Sequence, residues 1–130
     1  MILGIGMDIV EIKHFQAVLK KNPAVLKRIF TKKEREISER LSALKKSAYY
    51  AKRFAAKEAI SKACGTGIGN VISWQDIEIS NLASGMPIAT LSKKATSLLK
   101  KKLKAKKLCL FLSLSDERQY ATAFAILEKN

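Results

Sequence analysis

A chain of 130 residues with 48% hydrophobic content is the size of one domain with one core, and that content excludes general disorder. Its 25 Lys and Arg against 11 acidic residues give a formal net charge of +14, so the expected partners are polyanions: nucleic acid, anionic lipid, phosphorylated small molecules or acidic proteins. Cys64 and Cys109 lack the spacing of a zinc site or redox dithiol, no stretch approaches the roughly 20 apolar residues of a membrane span, and no basic region precedes the apolar start, so a cytoplasmic protein with reduced thiols is expected.

In chain order, residues 2–12 are apolar and β-branched with poor alternation, which predicts a strand covered on both faces. Asp8 and Glu11 fall within that run. A carboxylate there needs a hydrogen bond, an ion pair or a bound cation; Asp8 reads either as a strand-end cap or as a metal ligand. A short helical turn follows at 15–19. Asn22 is placed to cap a second helix with Pro23 in its first position, presenting Val25, Leu26, Ile29 and Phe30 inward and Lys27 and Arg28 outward. Thr31 and Glu34 make a capping-box pattern, which starts a third helix running to about Leu41. Ser42 or Ser47 then opens a long helix through Cys64.

That long helix carries Phe54, Glu58 and Lys62 at intervals of four, on one face. Taken alone, a Glu to Lys pair at this spacing is a solvated surface pair contributing a few tenths of a kcal/mol. Gly65, Gly67 and Gly69 alternate directly after the helix, where glycine provides positive φ at a C-terminus and lets backbone pass close to another group. They follow a helix rather than precede one, which sets them apart from a Walker loop or a dinucleotide fingerprint.

Beyond the glycines, residues 71–80 alternate as a half-buried strand, Ser84, Gly85 and Pro87 mark a turn, and 88–91 return. Ser92 caps a lysine-rich helix to about Lys107, whose stripe of Leu98, Leu99 and Leu103 is the width of ordinary packing; its lysines read as a solvated face. Strands at 108–115 and 120–127 close the chain. The class is α+β: a helical N-terminal half with a long helix packed on an antiparallel sheet, in a single domain over 1–130.

The string Arg53-Phe-Ala-Ala-Lys-Glu58-Ala-Ile-Ser-Lys62-Ala followed by Gly65-Thr-Gly67-Ile-Gly69 resembles the holo-acyl-carrier-protein synthases, the small bacterial branch of the 4′-phosphopantetheinyl transferases. Further blocks of that pattern recur in order: Gly4-Ile-Gly6-Met-Asp8-Ile-Val-Glu11-Ile, Arg28-Ile-Phe-Thr31 with Glu34, Asp76-Ile-Glu-Ile-Ser with Gly85-Met-Pro87, and Ser113-Leu-Ser115 with Tyr120-Ala.

The resemblance implies the 4′-phosphopantetheinyl transferase fold and transfer of phosphopantetheine from coenzyme A to a serine of apo-acyl carrier protein. It assigns Asp8 and Glu58 as ligands of Mg²⁺, with Mn²⁺ an alternative, Glu58 as a proton acceptor, and Lys62 as the cation at the departing phosphate. Lys45, Lys46, Arg53, Gly65 and Gly67 are implied contacts to coenzyme A. Arg28 and His14 are implied contacts to the acidic carrier protein, with His14 standing where many members carry Arg. A homotrimer with active sites between subunits is also implied. One departure stands out: the family closes on Ser-x-Ser-His, and this chain has Asp116 in place of that His, an anion beside a phosphate unless Arg118 or a lysine compensates. Two other readings stay open at this point, a polyanion-binding module with structural carboxylates, and a synthase-like protein whose catalysis Asp116 weakens.

Overall fold

The computed structural model describes all 130 residues. Strand β1 (Ile2–Glu11) leads into helices α1 (Ile12–Lys21), α2 (Ala24–Ile29), α3 (Lys32–Ser38) and the long α4 (Ala43–Ala63). After the glycine loop come a 3-10 turn (Trp74–Asp76), the hairpin β2 (Ile77–Asn81) and β3 (Pro87–Leu91), α5 (Lys93–Leu103), β4 (Leu108–Asp116) and β5 (Tyr120–Lys129). β5 is the middle strand of an antiparallel sheet of order β1-β5-β4, and β2 and β3 form a separate pair.

The sheet lies on α4, and small residues on both sides bring them into contact. Ala121, Ala123 and Ala125 of β5 face the alanines of α4, among them Ala55, Ala59 and Ala63, and all are buried. Opposite them on β1, Gly4 and Gly6 lie so close to α4 that a Cβ would stand 2.0 Å from the Ala63 carbonyl oxygen and 1.8 Å from that of Ala59. Only glycine fits that approach. One continuous core joins this layer to Phe15, Ile29 and Phe30 from the helical half and to Ile72, Ile77, Ile79 and Leu99 from the other end.

β1 departs from expectation. Gly6 and Val10 turn inward, but Ile5, Met7 and Ile9 on the other face are exposed, Met7 at 60%. With Phe124 of β5 and Phe111 of β4 they make an open apolar face on the sheet. Within one chain, then, only one face of β1 is covered.

Local boundaries moved for identifiable reasons. α1 begins at Ile12, earlier than the 15–19 turn. Asn22 ends α1 and offers α2 only its backbone carbonyl, which accepts from the Val25 N–H, while its side chain makes no cap. Thr31 and Glu34 do form the capping box, but α3 ends at Ser38. Ser42, not Ser47, caps α4, accepting from the Lys45 N–H. The expected strand at 71–80 starts only at Ile77, because Asp76 folds back on the Ser73 N–H and hydroxyl and winds Trp74–Asp76 into a 3-10 turn. α5 stops at Leu103, where Lys104 enters the left-handed region and Ala105 N–H closes on the Lys100 carbonyl.

Candidate active site

Asp8 sits on the helix-facing side of β1, two residues beyond Gly6, and meets α4 one turn past Glu58. The Lys62 ammonium donates to the Met7 carbonyl at 2.9 Å and to Asp8 Oδ1 at 3.3 Å. Lys62 thus ties strand to helix rather than standing free. Glu58 and Asp8 both line a groove of about 430 Å³, with Val10, Phe15, Val18, Val25, Ile29 and Phe54 among its walls. Desolvation raises the Glu58 carboxyl above the ordinary glutamate value, the Asp8 carboxylate adds to this, and Lys62 opposes it. Two carboxylates that repel in a partly dry place are a site for a proton or a cation. They belong to no cluster of three or more metal-ligating side chains. Such a pair suits Mg²⁺, which takes one or two carboxylates and fills its remaining positions with water and substrate phosphate.

Glu58 is held in position by its neighbour. Lys57 points the other way, into the core, fully buried with Glu34. Its ammonium donates to Glu34 Oε1 at 2.7 Å, to the Ile29 carbonyl at 2.7 Å and to the Trp74 carbonyl at 3.1 Å, which uses its three protons. Glu34 in turn accepts from the Thr31 and Ile79 N–H groups, both at 2.8 Å. Burial lowers the Lys57 pKa while the Glu34 carboxylate opposes the shift. This satisfied pair ties the end of α2, α3, the 3-10 turn and β2 to the turn of α4 that carries Glu58. Sequence reading saw the capping box of Glu34 and passed over Lys57, because an Ala-Ala-Lys-Glu string gives no sign that its lysine faces inward.

The expected nucleotide contacts divide. Lys45 and Arg53 meet in a second hollow of about 500 Å³, between α4, the β2–β3 hairpin and the end of β4, together with Lys52, Asn81 and Asp116. Arg53 is only 5% exposed; its Nη2 donates to Asn81 Oδ1 at 2.6 Å, its guanidinium lies 3.7 Å over the Tyr49 ring, and its Nε has no partner. Lys46 does not line this cleft but reaches Glu39 at 3.8 Å. The cation that answers Asp116 is Lys52, at 3.2 Å, rather than Arg118, which lines the neighbouring hollow. Arg53 and Glu58 are about 140° apart around α4, and the cleft and the groove share no lining residue.

Gly65 and Gly67 adopt positive φ, +72° and +62°, and the Thr66 and Gly67 N–H groups turn back to the Ser61 carbonyl. Nothing packs beside either glycine. Gly69 does not have the positive φ expected of it, so only the first two glycines shape the turn. His14 is exposed on α1 and lines the groove with Asp8 and Glu58, while Arg28 is exposed on α2 outside it. Burial pushes the Cys64 thiol up to about 11, which leaves it protonated and inert.

Residues 4–125 match the family model of the 4′-phosphopantetheinyl transferase superfamily. A holo-[acyl-carrier-protein] synthase of Pelagibacter ubique is 41% identical over 128 residues, 98% of either chain. The crystal structure of a holo-[acyl-carrier-protein] synthase from Neisseria meningitidis superposes with a TM-score of 0.86 at 38% identity, covering 99% of this chain and 100% of that one. A holo-(acyl-carrier-protein) synthase from Bacillus anthracis, solved in complex with CoA (3′,5′-ADP), superposes at 0.84 with 37% identity, covering 100% of this chain and 99% of that one. These matches span the carboxylate pair, Lys62 and the basic cleft alike, and the chain belongs to the 4′-phosphopantetheinyl transferase superfamily.

Proposed function

We propose that this chain transfers 4′-phosphopantetheine from coenzyme A to a serine hydroxyl of an acidic apo-acyl carrier protein, releasing adenosine 3′,5′-bisphosphate. The observation that carries the reading is the convergence of Asp8 and Glu58 on one apolar groove with Lys62 bound to Asp8, in a chain whose relatives bear the name of this reaction. Asp8 and Glu58 would hold Mg²⁺, and the ion would supply charge neutralisation of the pyrophosphate when bound. Glu58, at the same site, would take the serine proton. Lys62 leaves Asp8 to meet the negative charge that develops on the departing phosphate.

The basic cleft of Lys45, Lys52 and Arg53 would seat the nucleotide half of coenzyme A. Since that cleft and the carboxylate groove lie on different faces of α4, a second copy is needed to bring one to the other. The open face of Ile5, Met7, Ile9, Phe111 and Phe124 is the surface on which copies would pack, as a homotrimer. His14 at the groove and the exposed Lys13, Lys21, Lys27 and Arg28 of α1 and α2 would form the basic surface on which an acidic carrier docks. No helix is long and apolar enough to cross a membrane, and the unpaired Cys64 and Cys109 fit a cytoplasmic setting.

The experiment is intact-mass analysis of apo-acyl carrier protein incubated with this protein, coenzyme A and Mg²⁺, with and without chelator. One phosphopantetheine added per carrier, and lost with the chelator, is the expected result. Coenzyme A binding without transfer would favour a synthase weakened at Asp116; neither binding nor transfer would return the charge of +14 to a polyanion-binding role.

A further inference from the structure

The basic cleft contains one acid. Lys45, Lys52 and Arg53 line it with Asp116, and Asp116 Oδ1 holds the Lys52 ammonium at 3.2 Å. Both side chains are partly shielded, at 28% and 35% exposure, so their attraction is stronger than between two fully solvated groups. Nothing else answers Asp116: Lys52 is its one ion pair, and although Asp116 and Arg118 both line the neighbouring hollow no contact joins them. The buried Arg53 guanidinium, held by Asn81 and over the Tyr49 ring, is fixed in the same wall. With three cations to one acid the cleft favours an anion, and one of those cations is already engaged by the acid.

We propose that Asp116 is a specificity-determining residue acting through Lys52: by withdrawing that ammonium it reduces the preference of the cleft for coenzyme A over its 3′-dephospho form. The proposal rests on the cleft being the seat of the nucleotide half, as read above. A phosphate monoester brings a charge of about −1.5 to −2 where the dephospho compound has a neutral hydroxyl. Freeing Lys52 and removing the carboxylate both act on that charge, and the effect grows with the number of phosphates in the cleft. A ligand lacking the 3′ monoester, even one that keeps a 5′ phosphate, gains less from either change.

The test uses the full chain in its native assembly, with Asp116→Asn, Lys52→Met and the double variant. Calorimetric binding of adenosine 3′,5′-bisphosphate and adenosine 5′-monophosphate needs no turnover. For Asp116→Asn, affinity for the bisphosphate rises about fivefold, the size expected for releasing one partly shielded ion pair, and affinity for the monophosphate stays within about twofold. Most of that gain disappears in the double variant. Equal shifts for both nucleotides, no shift, or a gain that persists fully without Lys52 would each overturn the proposal; so would failure of either nucleotide to bind. Absence of phosphopantetheine transfer by the unmutated chain, with the nucleotide preference changing as described, would instead refute the transferase reading and leave the Asp116 effect standing.

Discussion

Gly6→Ala tests whether close approach of β1 to α4 is what brings Asp8 to Glu58 and Lys62. The added Cβ would lie 1.8 Å from the Ala59 carbonyl oxygen and 2.8 Å from the Ala63 amide nitrogen, both backbone atoms with no rotamer to escape into. Restoring an ordinary contact of 3.4 Å needs a displacement of about 1.6 Å between strand and helix. Overpacking of this kind costs about 1–3 kcal/mol where neighbours can yield, and here the neighbour is a helix backbone, so the upper end is expected. Asp8 is two residues along the same face, and Lys62 already reaches it at 3.3 Å, so the shift breaks that contact. A misplacement near 1 Å costs roughly 100-fold in rate. Urea denaturation and initial rates of phosphopantetheine transfer would be measured for Gly6→Ala beside Gly69→Ala, whose Cβ meets nothing within 4 Å and whose φ is ordinary. The control should match the parent in both. A Gly6→Ala protein with the parental midpoint and a rate within twofold would refute the reasoning.

Lys57→Met leaves the buried Glu34 carboxylate without its cation and should lower stability by about 3–5 kcal/mol, while Glu34→Gln with Lys57→Met should recover part of that loss; the double-mutant cycle by denaturation decides it. In metal-free buffer, Glu58 has a raised pKa in the folded state, so between 4.5 and that raised value the folded chain holds a proton which the unfolded chain has released. Stability from this group is therefore full below 4.5 and declines as pH rises through the folded pKa; Glu58→Gln should remove the decline that sets in above pH 4.5 without unfolding the chain, and a parental pH profile in the variant would contradict it. Arg28→Glu should raise the KM for acyl carrier protein severalfold and flatten its salt dependence while leaving the KM for coenzyme A unchanged, as expected of an exposed charge that steers docking. Met7→Lys should convert the proposed trimer to monomers in sedimentation velocity, since it places an ammonium on the open sheet face; a trimer retained by that variant would rule out this face as the contact.

Periodicity and caps made most elements legible. Thr31 with Glu34, and Ser92 before its lysine-rich helix, are local signals, and local signals survive folding. The position of Asp8 and Glu58 on a strand and a helix was also readable, and their meeting followed from a motif rather than from spacing. What could not be read depends on partners distant in sequence. Lys57 looks like any exposed helix lysine until Glu34, 23 residues away, is placed against it. The tightness of Gly4 and Gly6 against α4 needs the helix to be in position before the glycines have a reason. Lys45 and Lys46 are adjacent in sequence but point to different surroundings, one to the cleft and one to Glu39, a division that only helix phase decides. The one-sided cover of β1 was misjudged because its exposed face is as apolar as its buried one.

The strand order β1-β5-β4 also fixes when the sheet that carries Asp8 can close. Tyr120–Lys129 is the middle strand, so neither Ile2–Glu11 nor Leu108–Asp116 has a sheet neighbour until that segment is available. As the chain is made on the ribosome, the helices can form early, but Asp8 waits through more than a hundred residues of synthesis for the strand that holds it in register with Ala123. Closure of so long a loop falls late in folding, and until then only the contact of β1 with α4 holds Asp8 near Glu58 and Lys62.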